Sequence, residues 1–342
     1  MKAAVLEKRG KQGLRVGDFP DPKPGTGEAV MKVKAAGINR VDLYMRDIGK
    51  GITHELPLVL GVDGAGEIVE APKGSNLKPG DDVILYPMAF CRSCRACRAG
   101  DHPNCVKFDI SGETRHGTFA EYIAMPEYCF LPKPAGLSWE AAACLPVAYL
   151  TAWRMMFGKD PLLSAETVLI MGIGGGVASA CLQMATMIGA KAIVTSSSDE
   201  KLKWAKRLGA AETINYKSEK VAHRVMEIIG RKGVDMVIDN VGEASWGDSL
   251  RSLRSGGRII TCGGTTGSHP SADIQRMFAR QLAVYGSTMG SLDEFRQLIE
   301  VVSRGKISPL IDTSYPLEKI ADGFARMENG EQSGKLAVTI EP

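Results

Sequence analysis

Cys91, Cys94, Cys97 and Cys105 form the pattern C-x2-C-x2-C-x7-C, which gathers half of the chain's eight cysteines into one short stretch. Tetrahedral Zn²⁺ takes four thiolates at about 2.3 Å, and C-x2-C steps deliver them in pairs. Four cysteines fill every coordination position, so the predicted zinc organises a loop and takes no part in a reaction. The other chemistries open to such a cluster are dithiol redox and a pair of disulfides. A compact cluster in a chain without secretory features favours metal over both.

The second chemistry-bearing segment is Gly172-Ile-Gly-Gly-Gly-Val-Ala-Ser-Ala, which follows an apolar strand pattern and opens a helical one. Gly172, Gly174, Gly175 and Gly176, with Val177 behind them, are in the right place to let a backbone approach a pyrophosphate. A helix N-terminus then presents free N–H groups and the positive end of its dipole. More than one glycine register satisfies the fingerprint. A cofactor without a 2′-phosphate calls for an acidic residue at the end of the next strand, about 20 residues on. That strand instead ends Thr195-Ser196-Ser197-Ser198, followed by Lys201. Ser196, Ser197 and Lys201 suit a 2′-phosphate, and the expected cofactor is NADP(H). In the opposing reading Asp199 or Glu200 reaches back to the ribose and Lys201 is a solvated helix charge.

These residues need elements to hold them. Residues 1–132 carry short alternating patterns, at Ala29-Val-Met-Lys-Val-Lys, Gly64-Ala-Gly-Glu-Ile-Val-Glu and Asp82-Val-Ile-Leu-Tyr, punctuated by Pro-Gly turns. From 133 to 288 strand patterns at 168, 192, 236, 258 and 283 alternate with helix-length segments, the first helix running over Ala141–Phe157. That is the rhythm of a doubly wound parallel sheet. Residues 289–342 add an amphipathic helix over Leu292–Ser303 and a closing strand at Lys335-Leu-Ala-Val-Thr-Ile. The expected fold class is α/β.

The 342 residues suffice for two domains at about 150 residues each. With 42 basic and 39 acidic residues dispersed along the chain, no nucleic-acid footprint is expected. The N-terminus lacks a signal-peptide pattern. Thr167–Ala190 is uncharged and long enough to span a bilayer, but its glycines divide it into strand, turn and helix. A cytoplasmic protein with no membrane partner is expected.

Taken together, Gly37-Ile-Asn-Arg-Val-Asp-Leu-Tyr, Gly61-Val-Asp-Gly-Ala-Gly, Lys78-Pro-Gly-Asp-Asp-Val, the cysteine lobe, Leu150-Thr-Ala-Trp, the glycine turn, Asp239-Asn-Val-Gly and Ser333-Gly-Lys resemble the medium-chain dehydrogenase/reductase superfamily over nearly the whole chain. The resemblance implies a GroES-like β-rich catalytic domain built from both chain ends and a Rossmann domain between them, with a cofactor cleft at their junction. It also implies 2′-phosphate contacts at Lys201 and Tyr216, and nicotinamide-side contacts at Thr151, Asn240 and Gly242, with Gly263 nearby. Zinc alcohol dehydrogenases of this superfamily hold a second, catalytic zinc. Their ligand positions fall here on Asn39, Val62 and a residue near Val147, with Asp63 alone retaining a metal-compatible side chain, so one structural Zn²⁺ per chain is expected and no catalytic one.

The Asn39-x-x-Asp42-x-Tyr44 pattern is similar to that of the zinc-free quinone oxidoreductases, a branch that commonly lacks the cysteine lobe. The expected substrate is a small quinone or α,β-unsaturated carbonyl, with Asn39, Arg40 and Tyr44 as the catalytic candidates for giving the developing oxyanion a hydrogen bond or a proton. His54 and His116 are weaker ones. The alternatives are an alcohol or aldehyde dehydrogenase with unusual metal ligands and, from another class, a non-catalytic, crystallin-like NADPH-binding protein. The family implies a homodimer or homotetramer.

Overall fold

Short alternating segments become strands wherever one face can be buried. The computed structural model describes residues 1–49 and 55–340. Its contacts define two units, Met1–Leu150 with Gly290–Pro342, and Thr151–Met289. The first unit opens with β1 (Lys2–Leu6), β2 (Leu14–Asp18), β3 (Glu28–Ile38), α1 (Arg40–Asp47), β4 (Leu58–Val59), β5 (Asp63–Glu70) and β6 (Asp82–Leu85). The cysteine lobe follows, with β7 (Met88–Ala89), α2 (Arg95–Arg98) and β8 (Asp109–Ile110), before β9 (Tyr122–Pro126) and β10 (Phe130–Pro132) rejoin the sheet. β3 is central. It pairs antiparallel with β5 and β9, and residues 35–38, Ala-Ala-Gly-Ile, are buried without alternation.

The helix expected over Ala141–Phe157 is interrupted. α3 (Trp139–Ala143), capped by the Ser138 hydroxyl, gives way to a π-helical turn at Leu145–Tyr149, then α4 (Leu150–Trp153), then a second π turn at Arg154–Gly158. Pro146 has no N–H to give the ladder and its ring crowds the preceding turn, so the chain widens there. The domain boundary expected at 132/133 moves to 150/151. The physical reason is that α3 packs against β3, β5 and β18 of the first unit. Gly37 permits the approach, since a Cβ there would fall 2.6 Å from Asp63 Oδ2 and 3.2 Å from the Ala143 carbonyl oxygen.

The second unit is a six-stranded parallel sheet. β11 (Thr167–Ile170), α5 (Gly176–Ile188), β12 (Lys191–Ser196), α6 (Asp199–Arg207), β13 (Glu212–Asn215), α7 (Val221–Ile228), β14 (Val234–Asp239), α8 (Glu243–Ser252), β15 (Leu253–Thr261), α9 (Ile274–Ala279) and β16 (Ala283–Gly286) alternate along the chain. The strand order is β13-β12-β11-β14-β15-β16, the doubly wound arrangement. β13, Glu-Thr-Ile-Asn, has no apolar run and escapes the sequence reading. As an edge strand it needs to bury only Ile214 completely. Leu169, Ile193, Val237 and Ile259 share one core cluster.

The chain then re-enters the first unit through α10 (Leu292–Ser303), where Ser291 and Glu294 form a capping box, followed by β17 (Ile311–Pro316), α11 (Ile320–Glu328) and β18 (Lys335–Thr339). β18 lies antiparallel to β3 with Leu336 opposite Ile38, and β5 begins with Asp63 opposite Gly37. This register brings Asp63 and Lys335 to the end of β3, beside Asn39. Among the described residues no helix is long and apolar enough to cross a membrane.

Candidate active site

The four lobe thiols converge. Their sulfur atoms lie within 4.8 Å of one another, and none is in a disulfide. Backbone N–H groups point at sulfur: Cys94 N–H to Cys91 Sγ at 3.3 Å, Cys97 N–H to Cys94 Sγ at 3.5 Å and Lys107 N–H to Cys105 Sγ at 3.3 Å. Such bonds favour thiolate over thiol, and the Ser93 and Cys94 N–H groups bring the Cys91 pKa down to about 5. The donor set fits a tetrahedral zinc. His102 is no ligand here. It stacks on Phe90 at 3.8 Å, and its Nδ1 accepts the Leu292 N–H at 3.0 Å, joining the lobe to the start of α10.

In the second unit the glycine turn leaves β11 with Gly172 at φ 71° and Gly174 at φ 127°, and Gly175 caps α5. A side chain at Gly174 would lie 2.8 Å from Lys201 Cδ and 3.1 Å from its Nζ, so the Lys201 stem runs over the bare backbone of the turn. Gly175 has open space beside it, and Gly176 and Val177 begin the helix. This cradle, bare of side chains before a helix N-terminus, fits a dinucleotide.

Thr195 is buried, its hydroxyl accepting the Gly172 N–H at 3.0 Å, so it holds the turn and leaves later positions to meet a ribose. Ser196 is also buried, its hydroxyl accepting the Ser198 N–H at 3.2 Å, whereas Ser197 is half-buried. Tyr216, half-exposed, bonds through its N–H to the Ser196 carbonyl at 3.1 Å. Asp199 accepts from the Asn215 side chain at 2.7 Å, which counts against its reaching back to a ribose.

Beyond β14, the buried Asp239 carboxylate takes the N–H groups of Val241 and Gly242 at 2.9 and 3.0 Å and the hydroxyls of Ser245 and Ser249. It shapes the turn that carries Asn240, whose Oδ1 is buried without a partner. A Cβ on Gly242 would strike the Gly267 carbonyl at 2.5 Å, and one on Gly263 would stand 3.2 Å from that of Asn240. The turn glycines, Val177, Ser196, Ser197, Lys201, Tyr216, Asn240, Gly242 and Gly263 therefore all sit at or just beyond the carboxyl ends of the parallel strands. Thr151 is buried on α4, the first residue of this unit.

At the end of β3 the first unit holds a buried polar network. Lys335 Nζ donates to the Ile38 carbonyl at 3.0 Å, to Asn39 Oδ1 at 2.5 Å and to Asp63 Oδ2 at 3.0 Å. Asn39 Nδ2 donates to the same Asp63 oxygen at 2.8 Å and, at 3.3 Å, to the Gly37 carbonyl. The other Asp63 oxygen accepts the Val147 N–H at 2.7 Å, from within the π turn. Burial opposes the Lys335 ammonium, yet Asp63, Cys144 and Asp42 raise its pKa above the ordinary lysine value. Sequence reasoning registered Lys335 only as part of a closing motif. Nothing local signals that it pairs with a residue 272 positions away.

One expectation changes here. Asp63, the one metal-compatible side chain at the lost site, already takes three donors on its oxygens. Asn39 was expected to donate to a developing oxyanion, but its amide is already committed to Asp63 and Gly37. Asn39, Val62, Val147 and the hydrogen-bonded Asp63 do not form a zinc donor set, and a catalytic zinc does not fit these residues. Arg40 and Tyr44 lie one turn apart on α1 and are solvent-exposed. Partial burial lowers the Arg40 pKa against the pull of Glu328. His116 accepts the Val59 N–H at 3.2 Å and packs on Phe19, a structural placement, and His54 lies outside the described residues.

Asp42, completely buried, accepts the Asn39 N–H at 2.7 Å through one oxygen and has no partner for the other. Burial first, then Asp63 and Glu113, push its pKa up to about 8, against the Asn39 N–H and Lys335. A carboxyl raised in the folded state loses stability as pH climbs from its unfolded value of 3.8 toward that figure. Asp42→Asn, which keeps the Asn39 bond, should therefore raise the melting temperature more at pH 8 than at pH 4. Equal shifts at both pH values would show that folding leaves the Asp42 pKa at its unfolded value.

Residues 25–135 match the alcohol dehydrogenase GroES-like domain, and residues 176–304 match the zinc-binding dehydrogenase family. An NAD-dependent alcohol dehydrogenase of Sulfolobus acidocaldarius is 33% identical over 99% of this chain and 100% of its own length. An acryloyl-coenzyme A reductase of Metallosphaera sedula is 29% identical over 99% and 100%. The crystal structure of an NAD-dependent alcohol dehydrogenase superposes with a TM-score of 0.96 at 37% identity, covering 100% of both chains. The chain belongs to the medium-chain dehydrogenase/reductase superfamily. It is a GroES-like and Rossmann-type oxidoreductase.

Proposed function

We propose that this protein reduces a small quinone or α,β-unsaturated carbonyl with NADPH, without a catalytic metal. The observation that carries the reading is the Lys335–Asn39–Asp63 network, which fills with hydrogen bonds the positions where a catalytic zinc would need open donors. A bound nicotinamide supplies the hydride. The acceptor oxygen gains negative charge, and conjugation spreads that charge so that hydrogen-bond donors suffice to hold it. Arg40 and Tyr44, exposed on α1, are the proposed donors, and Asn39 acts by holding the start of that helix. The acryloyl-coenzyme A reductase among the relatives acts on a conjugated acyl group by its name. The alcohol dehydrogenase reading is favoured by the names of other relatives and requires metal ligands from residues other than these. NADPH oxidation with a panel of enones, enoyl thioesters and quinones tests the proposal, and rates no faster than those with simple ketones would reject it.

The preference for NADPH rests on Lys201 lying over the turn, on Ser197 and Tyr216 at the strand ends, and on the absence of a carboxylate at the end of β12. A charge-assisted hydrogen bond is worth about 1.5–3 kcal/mol. Lys201→Ala should then weaken NADPH binding about ten- to a hundredfold and leave NADH nearly unchanged, as read by fluorescence titration. Equal wild-type affinity for the two cofactors would reject the assignment.

The zinc proposed for the lobe is structural. A second copy of the chain is the proposed partner at β16, an edge strand with Val284 partly exposed, preceded by α9 with Ile274 70% and Phe278 69% exposed. Apolar side chains this open beside an unpaired edge invite association. Phe278→Glu should shift sedimentation from dimer or tetramer toward monomer, and an unchanged assembly would place the interface elsewhere.

A further inference from the structure

Lys335 is a buried cation that the hydride chemistry proposed above leaves without a role. Its three donors are all used, on Ile38, Asn39 and Asp63, and only 3% of its side chain is exposed. A buried charge costs more than an apolar side chain of the same size unless it is well paired, so stability alone gives little reason to keep it. What the cation does supply is orientation. An ammonium only donates and a carboxylate only accepts. With Lys335 on one side and Asp63 on the other, the Asn39 carboxamide has one permitted orientation, its oxygen toward Lys335 and its nitrogen toward Asp63. Asn39 is also the N-cap residue of α1, and its backbone N–H is fixed by Asp42 at 2.7 Å. Arg40 and Tyr44 project from the first turns of that helix.

We infer that Lys335 is a positioning residue: through Asn39 it sets the start of α1, and so the placement of Tyr44 and Arg40 toward the acceptor, while keeping a fixed positive charge at the end of β3. The inference rests on the metal-free reading of the site. Asp63, Cys144 and Asp42 are the titratable groups that act on this charge, and Glu113 acts in turn on Asp42. Four chain segments meet in the network: the end of β3, the start of β5, the π turn at Val147 and the start of β18. A cation tying four segments to one helix cap is suited to hold geometry and not to touch substrate.

The test is made on the full-length protein with the paired replacement Asp63→Asn/Lys335→Met, which removes both charges and leaves no unpaired ion. This variant should melt close to wild type and bind NADPH within about twofold of it, because the cofactor turn lies in the other unit. Its kcat should fall about a hundredfold. Tyr44→Phe, expected to cost about tenfold in the wild type, should cost little more in the paired variant, since the tyrosine is already misplaced. Lys335→Arg, which keeps a cation, should hold kcat within about tenfold.

Wild-type turnover in the paired variant, or full additivity with Tyr44→Phe, would overturn the inference. Failure of the neutral pair to fold would assign the network to stability and overturn it too. Rates are read on whichever acceptor the wild type turns over best. A wild type that spares conjugated acceptors thus defeats the proposed function, while the mutant cycle still decides the role of Lys335.

Discussion

Asp63→Ala should destabilise the first unit by about 3–5 kcal/mol, the cost of leaving a buried cation without its counter-charge. Lys335 would keep the Ile38 carbonyl and Asn39 Oδ1 as partners, both neutral. The Asn39 amide and the Val147 N–H would each lose an acceptor, adding to the loss. The neutral pair Asp63→Asn/Lys335→Met should recover most of that stability, because no ion is stranded. Urea unfolding of the three proteins reads the comparison directly. A loss below about 1 kcal/mol for Asp63→Ala, the range of a surface ion pair, would mean that water reaches Lys335.

Cys97→Ser should take the metal content from one zinc per chain toward none and open residues 91–105 to proteolysis. The binding free energy of a structural zinc is folding free energy for its lobe, with apparent values of about 10–16 kcal/mol in isolated zinc-finger peptides. A hydroxyl in place of a thiolate forfeits much of it. Cys97 is a direct test because it is buried and its sulfur lies 3.5 Å from that of Cys94. Cofactor binding should be spared, since the glycine turn belongs to the other unit. Metal analysis showing two zinc ions per wild-type chain would contradict the account of both sites. Metal retained in full by the variant would remove Cys97 from the ligand set.

The parts of the structure that sequence makes visible are those fixed by local spacing. The four cysteines are close in sequence and so must be close in space, and the glycine turn is bounded by a strand and a helix it cannot avoid. α10 falls on Leu292–Ser303, as its periodicity and the Ser291–Glu294 cap require. What sequence hides is set by long-range pairing. Lys335 joins Asn39 only because β18 lies beside β3, a contact spanning 296 positions. The same pairing turns Asn39 from an expected donor into a fixed cap. β13 was hidden for another reason: an edge strand buries too little to show a pattern. The interrupted helix at 139–158 was signalled only by Pro146, whose effect depends on whether the chain bends or widens there.

The central claim is that hydride goes to a conjugated acceptor without help from a metal. Initial rates of NADPH oxidation with an enoyl thioester, an enone and a quinone, set beside NADP⁺ reduction with simple alcohols, test it most directly when each is run with and without a chelator present only during the assay. The account predicts reduction of conjugated acceptors at least about a hundredfold faster than alcohol oxidation, and initial rates that the chelator leaves unchanged. Alcohol oxidation that is faster than enone and quinone reduction, and that the chelator abolishes, would contradict it.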